Sequence, residues 1–315
     1  MTKNGWCLRP IRGGGLLAVV GFGGEAGQPA RPRILAPWAG RRDRTVRGVT
    51  KLVAVLLACL LVACAGVTHL DAVPPEVAAA AGSPSAVPGT HAVSVTRGVM
   101  AGRYGCEVPY ERYWPSGASH DTMVFLAHGF MRDLETMRGW AEHLASHGIP
   151  VTVPSLCNST LLAGRHDRNA DDLVAMADEL QAGSTIYAGF SAGGLAALLA
   201  AAADPRAAAY VGLDPVDSGA LARGAAVTVP ATMFIAEPTR CNAYNNIIDP
   251  LPDDHPFEII PIPHARHCDF ENPHDSRCER VCGSVQPAEF AEAIRAFIRA
   301  AVTERLLSAV PGSRR

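Results

Sequence analysis

Continuous apolar segments alternate with amphipathic segments from about residue 92 to residue 309 of this 315-residue chain. Short runs that are apolar at nearly every position are typical of parallel strands covered on both faces. The four clearest runs are TMVFLA (122–127), STIYAGF (184–190), AAYVGLD (208–214) and ATMFIAE (231–237). We expect each of them to form a strand of one central sheet.

Helical periodicity marks the segments between and after these runs. Those segments are DLETMRGWAEHLASHG (133–148), residues 170–180, the alanine-rich run after Ser191 and AEFAEAIRAFIRAAVTERLL (288–307). Strands that alternate with helices predict an α/β fold of three layers, a mostly parallel sheet with helices on both faces. In such folds, ligands bind at the carboxyl ends of the strands. We therefore predict one folded domain over residues 92–309.

The N-terminal 64 residues have a different pattern. Residues 1–45 are rich in glycine, proline and arginine without a hydrophobic period, so we expect a non-native or disordered leader there. Five basic residues then precede Leu52–Ala63, which are twelve uninterrupted apolar residues. That is the length of a signal-peptide core and is too short to span a membrane. Residues 46–64 therefore predict an export signal.

The signal ends in LVAC (61–64), which resembles the bacterial lipoprotein signal. The resemblance implies that Cys64 is lipidated, becomes the mature N-terminus and anchors the protein to a membrane of the cell envelope. An ordinary signal peptide with an incidental cysteine is the alternative, and it implies a secreted protein. Residues 65–91 are rich in alanine, proline and serine and predict a flexible tether. Residues 310–315 are expected to form a tail.

Charge separates the two parts of the chain. Residues 1–64 carry 10 Lys+Arg and 2 acidic residues, and the remainder carries 18 and 28, so the parts have net charges of +8 and −10. The acidic part has no run rich in lysine or arginine. We therefore do not expect the protein to bind nucleic acid.

One serine lies at the junction of a predicted strand and a predicted helix. Gly189 to Gly193 read G-F-S-A-G, the G-x-S-x-G pattern with Ser191 at its centre. At such a turn the serine takes a strained conformation with its hydroxyl exposed above the sheet, and the glycines avoid a collision of Cβ atoms with neighbouring backbone. Ser191 is therefore the candidate nucleophile.

A second loop supplies the candidate oxyanion site. FLAHGF places His128, Gly129 and Phe130 at the end of the strand predicted at 122–127. We assign the backbone N–H groups of Phe130 and Ala192 to the oxyanion hole. His128 and Gly129 are expected to support this loop.

The acid and the histidine follow in the order Ser, Asp, His that α/β hydrolases use. Asp214 ends the strand at 208–214, and His267 lies in IPIPHARHCDFENP. Glu237, at the end of the next strand, is the alternative acid. His264 is the alternative to His267.

These motifs together resemble the α/β-hydrolase superfamily over about residues 92–309, in particular chlorophyllase-like and bacterial polyester-hydrolase or lipase-like members. GLDPVD and HCDFENP are similar to the chlorophyllase acid and histidine segments, and GWAEHLASHGIPVTVPS resembles the helix and strand after the oxyanion loop of polyester hydrolases. Chlorophyllases have a bulky residue where Ala192 lies, so chlorophyll is not implied as the substrate.

Together with the predicted export signal, the resemblance implies an exported serine hydrolase that cleaves carboxylic esters of a small molecule or lipid without a cofactor. Two alternatives stay open. One is a non-catalytic lipoprotein of the same fold that binds an apolar ligand or a partner, and the other is an amidase or thioesterase.

Six of the nine cysteines follow residue 64. They are Cys106, Cys157, Cys241, Cys268, Cys278 and Cys282. An even number in an exported domain predicts up to three disulfides. We expect Cys278 or Cys282 to pair with Cys241 or Cys268 around His267. A metal site within HARHC and CERVC is the alternative, which the lack of a Cys-x2-Cys pair disfavours.

Overall fold

The computed structural model describes residues 73–118, 121–159, 163–251, 257–282 and 286–310. The predicted leader, the signal peptide and Cys64 lie outside the described residues, as do residues 65–72 and 311–315. Within the described part of the chain, no helix has the length and hydropathy needed to cross a bilayer.

The described residues form a sheet of eight strands in the order β1-β2-β4-β3-β5-β6-β7-β8. The strands are β1 (Val93–Ala101), β2 (Glu107–Pro115), β3 (Thr122–Ala127), β4 (Val151–Pro154), β5 (Ser184–Phe190), β6 (Ala207–Leu213), β7 (Ala231–Ile235) and β8 (Phe257–Pro261). β2 pairs antiparallel with β1 and β4, and the pairs from β4 to β8 are parallel. All four strands predicted from apolar runs are present. Two of them end earlier than expected, at Leu213 and Ile235.

Six α-helices accompany the sheet within the described residues. They are α1 (Pro75–Ala81), α2 (Arg138–Ser146), α3 (His166–Glu179), α4 (Ala192–Ala203), α5 (Ser276–Cys282) and α6 (Ala288–Ala309). A one-turn 3-10 helix, Leu134–Met137, replaces the first part of the helix predicted from residue 133. α3 begins four residues before the predicted segment.

Side chains of the central strands alternate between two apolar clusters, one on each face of the sheet. In β5, Ile186, Ala188 and Phe190 join α2 and α6 on one face. Tyr187 points to the opposite face, where it packs with α3 and α4. The period of two along a strand therefore buries both faces, which explains the continuous apolar runs. The predicted three-layer α/β fold is confirmed.

The segment before β1 corrects the predicted domain boundary. Residues 73–91 were expected to belong to a flexible tether, but they contain α1 and a 3-10 turn, Pro84–Ala86. Val77 is fully buried, and α1 packs against α6. The run of alanines favours a helix, and Val77 gives it an apolar side. The tether prediction is wrong from residue 75 onward, and the folded domain starts there rather than at residue 92.

All six cysteines of the domain form disulfides: Cys106–Cys157, Cys241–Cys282 and Cys268–Cys278. The first bridge joins the β1–β2 turn to the segment after β4. The other two attach α5 to the segments that follow β7 and β8. This pairing agrees with the expectation that the cysteines of CERVC pair around His267.

Candidate active site

Ser191 lies between β5 and α4 in a conformation that few non-glycine residues adopt, with φ of 54° and ψ of −124°. Its backbone N–H donates to the carbonyl of Leu213 at 3.0 Å, which fixes the turn against β6. A Cβ at Gly189 would overlap the carbonyl of Gly193, and a Cβ at Gly193 would overlap the carbonyl of His128. Both glycines are therefore required by the close backbone approach that raises the serine above the sheet.

The structure brings Ser191, His267 and Asp214 together. His267 Nε2 lies 3.1 Å from Ser191 Oγ, and His267 Nδ1 lies 2.6 Å from Asp214 Oδ2. Asp214 is fully buried, and the imidazole is 8% exposed. The ring of Phe190 lies 4.7 Å from the imidazole, centroid to centroid, and covers part of it. With Nδ1–H donating to the carboxylate, Nε2 is free to accept the serine proton.

The alternative acid does not reach this site. The side chain of Glu237 is 57% exposed, and its Oε1 lies 3.9 Å from Nδ1 of His264. His264, the alternative histidine, is itself 45% exposed. β7 ends before Glu237, whose N–H donates to the carbonyl of Ala265. Asp214 and His267 are therefore in hydrogen-bond contact with each other and with Ser191, whereas Glu237 and His264 contact each other.

A buried asparagine that the sequence does not reveal holds the carboxylate of Asp214. Asn242 Nδ2 lies 3.2 Å from Asp214 Oδ2 and donates to the carbonyl of Glu237 at 2.9 Å. The N–H of Ala236 donates to Asp214 Oδ1 at 2.8 Å. Asp214 itself has a φ of 43°, which turns its side chain out of β6 towards the histidine. No motif marks Asn242, whose contact with Asp214 spans 28 residues of sequence.

The candidate oxyanion loop lies beside the serine, where a Cβ on Gly129 would meet Ser191 Cβ at 3.4 Å. Within the described residues, the N–H groups of Phe130 and Ala192 donate to no other group, which leaves them available to a ligand. His128 Nδ1–H donates to the carbonyl of Gly129 at 2.8 Å, and its Nε2 accepts from the N–H of Leu156 at 2.9 Å. Burial lowers the pKa of His128, so it is neutral. These contacts tie the side chain of His128 to its own loop and to the segment after β4.

Two of the disulfides border the site. Cys268 follows His267 directly, Cys241 precedes Asn242, and both are bonded to α5. Among the described residues, two clusters are close enough to hold a metal ion. One is Cys268, Cys278 and Cys282, and the other is Cys106, Cys157 and Asp172. A disulfide sulfur is not the thiolate that metal ions bind. The cysteines of HARHC and CERVC are therefore not metal ligands in the oxidised protein.

Solved structures of similar architecture place this arrangement in a known fold. A serine α/β-hydrolase homologue from Coxiella burnetii has 14% identity, a TM-score of 0.50 and coverage of 67% of this chain and 97% of its own. A proposed dienelactone hydrolase from Klebsiella pneumoniae has 15% identity, a TM-score of 0.52 and coverage of 69% and 98%. A dienelactone hydrolase from Anabaena variabilis has 23% identity and a TM-score of 0.47, with coverage of 56% and 89%. No protein-family model and no curated protein sequence matches the chain. The first two structures show the α/β-hydrolase fold.

Proposed function

We propose that this chain of the α/β-hydrolase fold is a serine hydrolase that cleaves carboxylic esters. The observation that carries the proposal is the imidazole of His267, whose two nitrogens contact Ser191 Oγ and Asp214 Oδ2 at 3.1 Å and 2.6 Å. A nucleophile, a base and an acid in contact favour catalysis over simple binding of an apolar ligand.

The proposed reaction has two halves. Ser191 Oγ attacks the ester carbonyl while His267 Nε2 accepts its proton, and the imidazolium then protonates the leaving alkoxide. Water, activated by the same imidazole, hydrolyses the acyl-enzyme. The N–H groups of Phe130 and Ala192 stabilise the oxyanion in both halves. Asp214 keeps the imidazole in the required tautomer, and none of these steps uses a cofactor.

Turnover of a p-nitrophenyl ester by the oxidised protein tests this proposal. We expect measurable turnover with acetate or butyrate esters and a loss of 10⁴- to 10⁶-fold in kcat in Ser191→Ala. A fluorophosphonate should label the wild type and not the variant. If the wild type neither turns over nor is labelled, the protein is a binding member of the fold. A parallel panel of amide and thioester substrates compares the three types of acyl transfer.

We propose further that the protein is exported and lipidated at Cys64. Three disulfides in one domain support an oxidising compartment. Expressed in bacteria with its own leader, the protein should partition into detergent, and Cys64→Ala should move it to the aqueous phase. Equal partition of the two proteins would contradict the lipid anchor.

A further inference from the structure

A buried carboxylate that the proposed mechanism does not use lies close to His267. Glu271 ends the turn His267–Phe270 and is 1% exposed. Nε of Arg132 lies 2.8 Å from its Oε1. Apart from Arg132, no described residue donates a hydrogen bond to either oxygen of Glu271. Burial raises the pKa of this carboxyl to about 7, although the charge of Arg132 opposes the rise.

A second buried glutamate shows what a fully satisfied carboxylate looks like in this protein. Glu111, on β2, accepts from Arg138 Nη2 at 2.7 Å, from Arg138 Nε at 2.8 Å and from the Tyr113 hydroxyl at 2.6 Å. Burial opposes its ionisation, but these hydrogen bonds and that of Arg97 lower the pKa of Glu111 to about 2. Glu271 lacks such a set of donors. A buried charge with incomplete pairing destabilises a fold, so its presence beside the site calls for a functional reason.

Arg132 connects Glu271 to the oxyanion loop. The N–H of Arg132 donates to the carbonyl of Gly129 at 3.2 Å, which closes the turn that contains Phe130. Its guanidinium is 17% exposed and lies between Glu271 and Asp275, whose Oδ2 is 3.0 Å from Nη1. Arg132 therefore reaches from the loop with the candidate oxyanion N–H to the segment that carries the candidate base.

The backbones of the same two segments are joined a little further from the site. The N–H of Asn272 donates to the carbonyl of Thr136 at 3.1 Å, and the N–H of Trp140 donates to the carbonyl of Asn272 at 3.2 Å. The indole N–H of Trp140 donates to the carbonyl of Phe270 at 2.8 Å. These bonds hold the segments together as a unit. The contact between Arg132 and Glu271 lies nearer to the site along the chain. Arg132 follows Phe130 by two residues, and Glu271 follows His267 by four.

We propose that Arg132 and Glu271 are positioning residues, whose ion pair fixes the oxyanion N–H of Phe130 relative to the imidazole of His267. The inference rests on the proposed function. Attack on an ester requires both groups at defined positions around one tetrahedral carbon, and a displacement of 1 Å lowers the rate by about 10²-fold. Glu271 is also close enough to His267 for their charges to interact, since a positive charge on the imidazole lowers the pKa of the Glu271 carboxyl.

The test is a double-mutant cycle with Arg132→Gln, Glu271→Gln and the double variant, assayed on a p-nitrophenyl ester. We expect kcat to fall about 10- to 100-fold in each single variant, with KM within about twofold of wild type. The double variant should be no slower than the slower single variant, because both changes break one link. Arg132→Lys, which keeps the charge, should recover part of kcat.

Glu111→Gln is the matched control, because it makes the same substitution at another buried ion pair. Glu111 lies on β2, and two strands, β4 and β3, separate β2 from β5, the strand that precedes Ser191. It should lower the midpoint of urea unfolding while kcat stays within about twofold. All variants are assayed where circular dichroism shows them folded. The inference would be overturned by a kcat in Glu271→Gln within threefold of wild type, or by losses in the two single variants that multiply in the double variant. Either result leaves the proposed function standing, provided that the wild type turns over the ester. A wild type without turnover fails the proposed function, and the inference falls with it.

Discussion

Removal of the disulfides one pair at a time should separate their effects on stability from their effects on catalysis. In the chain-entropy treatment, a bridge stabilises the fold by restricting the unfolded chain, and the effect grows with the logarithm of the loop it closes. The three bridges close loops with separations of 10 (Cys268–Cys278), 41 (Cys241–Cys282) and 51 (Cys106–Cys157). Replacing each pair by alanine should therefore lower the free energy of unfolding by about 2.7, 3.9 and 4.1 kcal/mol.

The effect on kcat should follow another order. Cys268 adjoins His267 and lies in the same 3-10 turn, so the loss of its bridge to α5 frees the imidazole to move. We expect Cys268→Ala/Cys278→Ala to lose about tenfold in kcat, the largest loss of the three, although it closes the shortest loop. Cys106→Ala/Cys157→Ala should lose the most stability and keep kcat within about threefold of wild type.

Urea unfolding and steady-state kinetics at 25 °C, on variants shown to be folded, measure the two orders separately. Both cysteines of a bridge must be replaced together. The sulfurs of Cys278 and Cys282 are 4.0 Å apart, so a single replacement leaves a thiol able to attack the neighbouring disulfide. If stability does not rank with loop size, or if the loss of Cys268–Cys278 leaves kcat at the wild-type value, the reasoning is wrong.

Three further predictions concern single residues around the site. Asp214→Asn should lower kcat by about 10⁴-fold, whereas Glu237→Gln, at an exposed side chain, should keep kcat within twofold of wild type. Steady-state kinetics measure both variants, and a loss of kcat in Glu237→Gln alone would contradict the prediction. Asn242→Ala should lower kcat about tenfold with little change in KM, because Asp214 loses a donor in a buried site; an unchanged kcat would count against it. Burial raises the pKa of Glu271 from 4.5 to about 7, so the folded protein binds this proton more tightly than the unfolded chain does. The contribution of Glu271 to the free energy of unfolding is therefore most favourable below pH 4.5. That contribution is lost as the pH rises to 7. Relative to Glu271→Gln, the wild type should lose about 3 kcal/mol of unfolding free energy over that interval, as measured by urea unfolding at several pH values; a difference that does not vary with pH would contradict the prediction.

The sequence predicted the centre of the sheet better than its edge. β3 and β5 are covered on both faces, so burial leaves an uninterrupted apolar run in each. β1 lies at the edge of the sheet, where most of its residues, including Arg97, are exposed. Its polar positions carry no comparable signal, and neither β1 nor β2 was predicted. α1 was missed for a related reason, because a short alanine run is stable as a helix only when α6 is packed against it.

The candidate site shows the same division. Ser191, His267 and Asp214 follow strands and form motifs that the sequence displays directly. Asn242 and Glu271 act through contacts with Asp214 and Arg132 that span 28 and 139 residues of sequence. No local pattern encodes such a contact, so only the folded chain reveals it.

The packing of α1 against α6 affects the order in which the domain is completed during synthesis. α1 packs against α6, which follows it by about 210 residues in the chain. At roughly 5–20 residues per second, the ribosome needs about 10–40 s to make that stretch. The part of the domain that emerges first therefore lacks its packing surface for most of the time of synthesis. It becomes part of the fold only once α6 has been made.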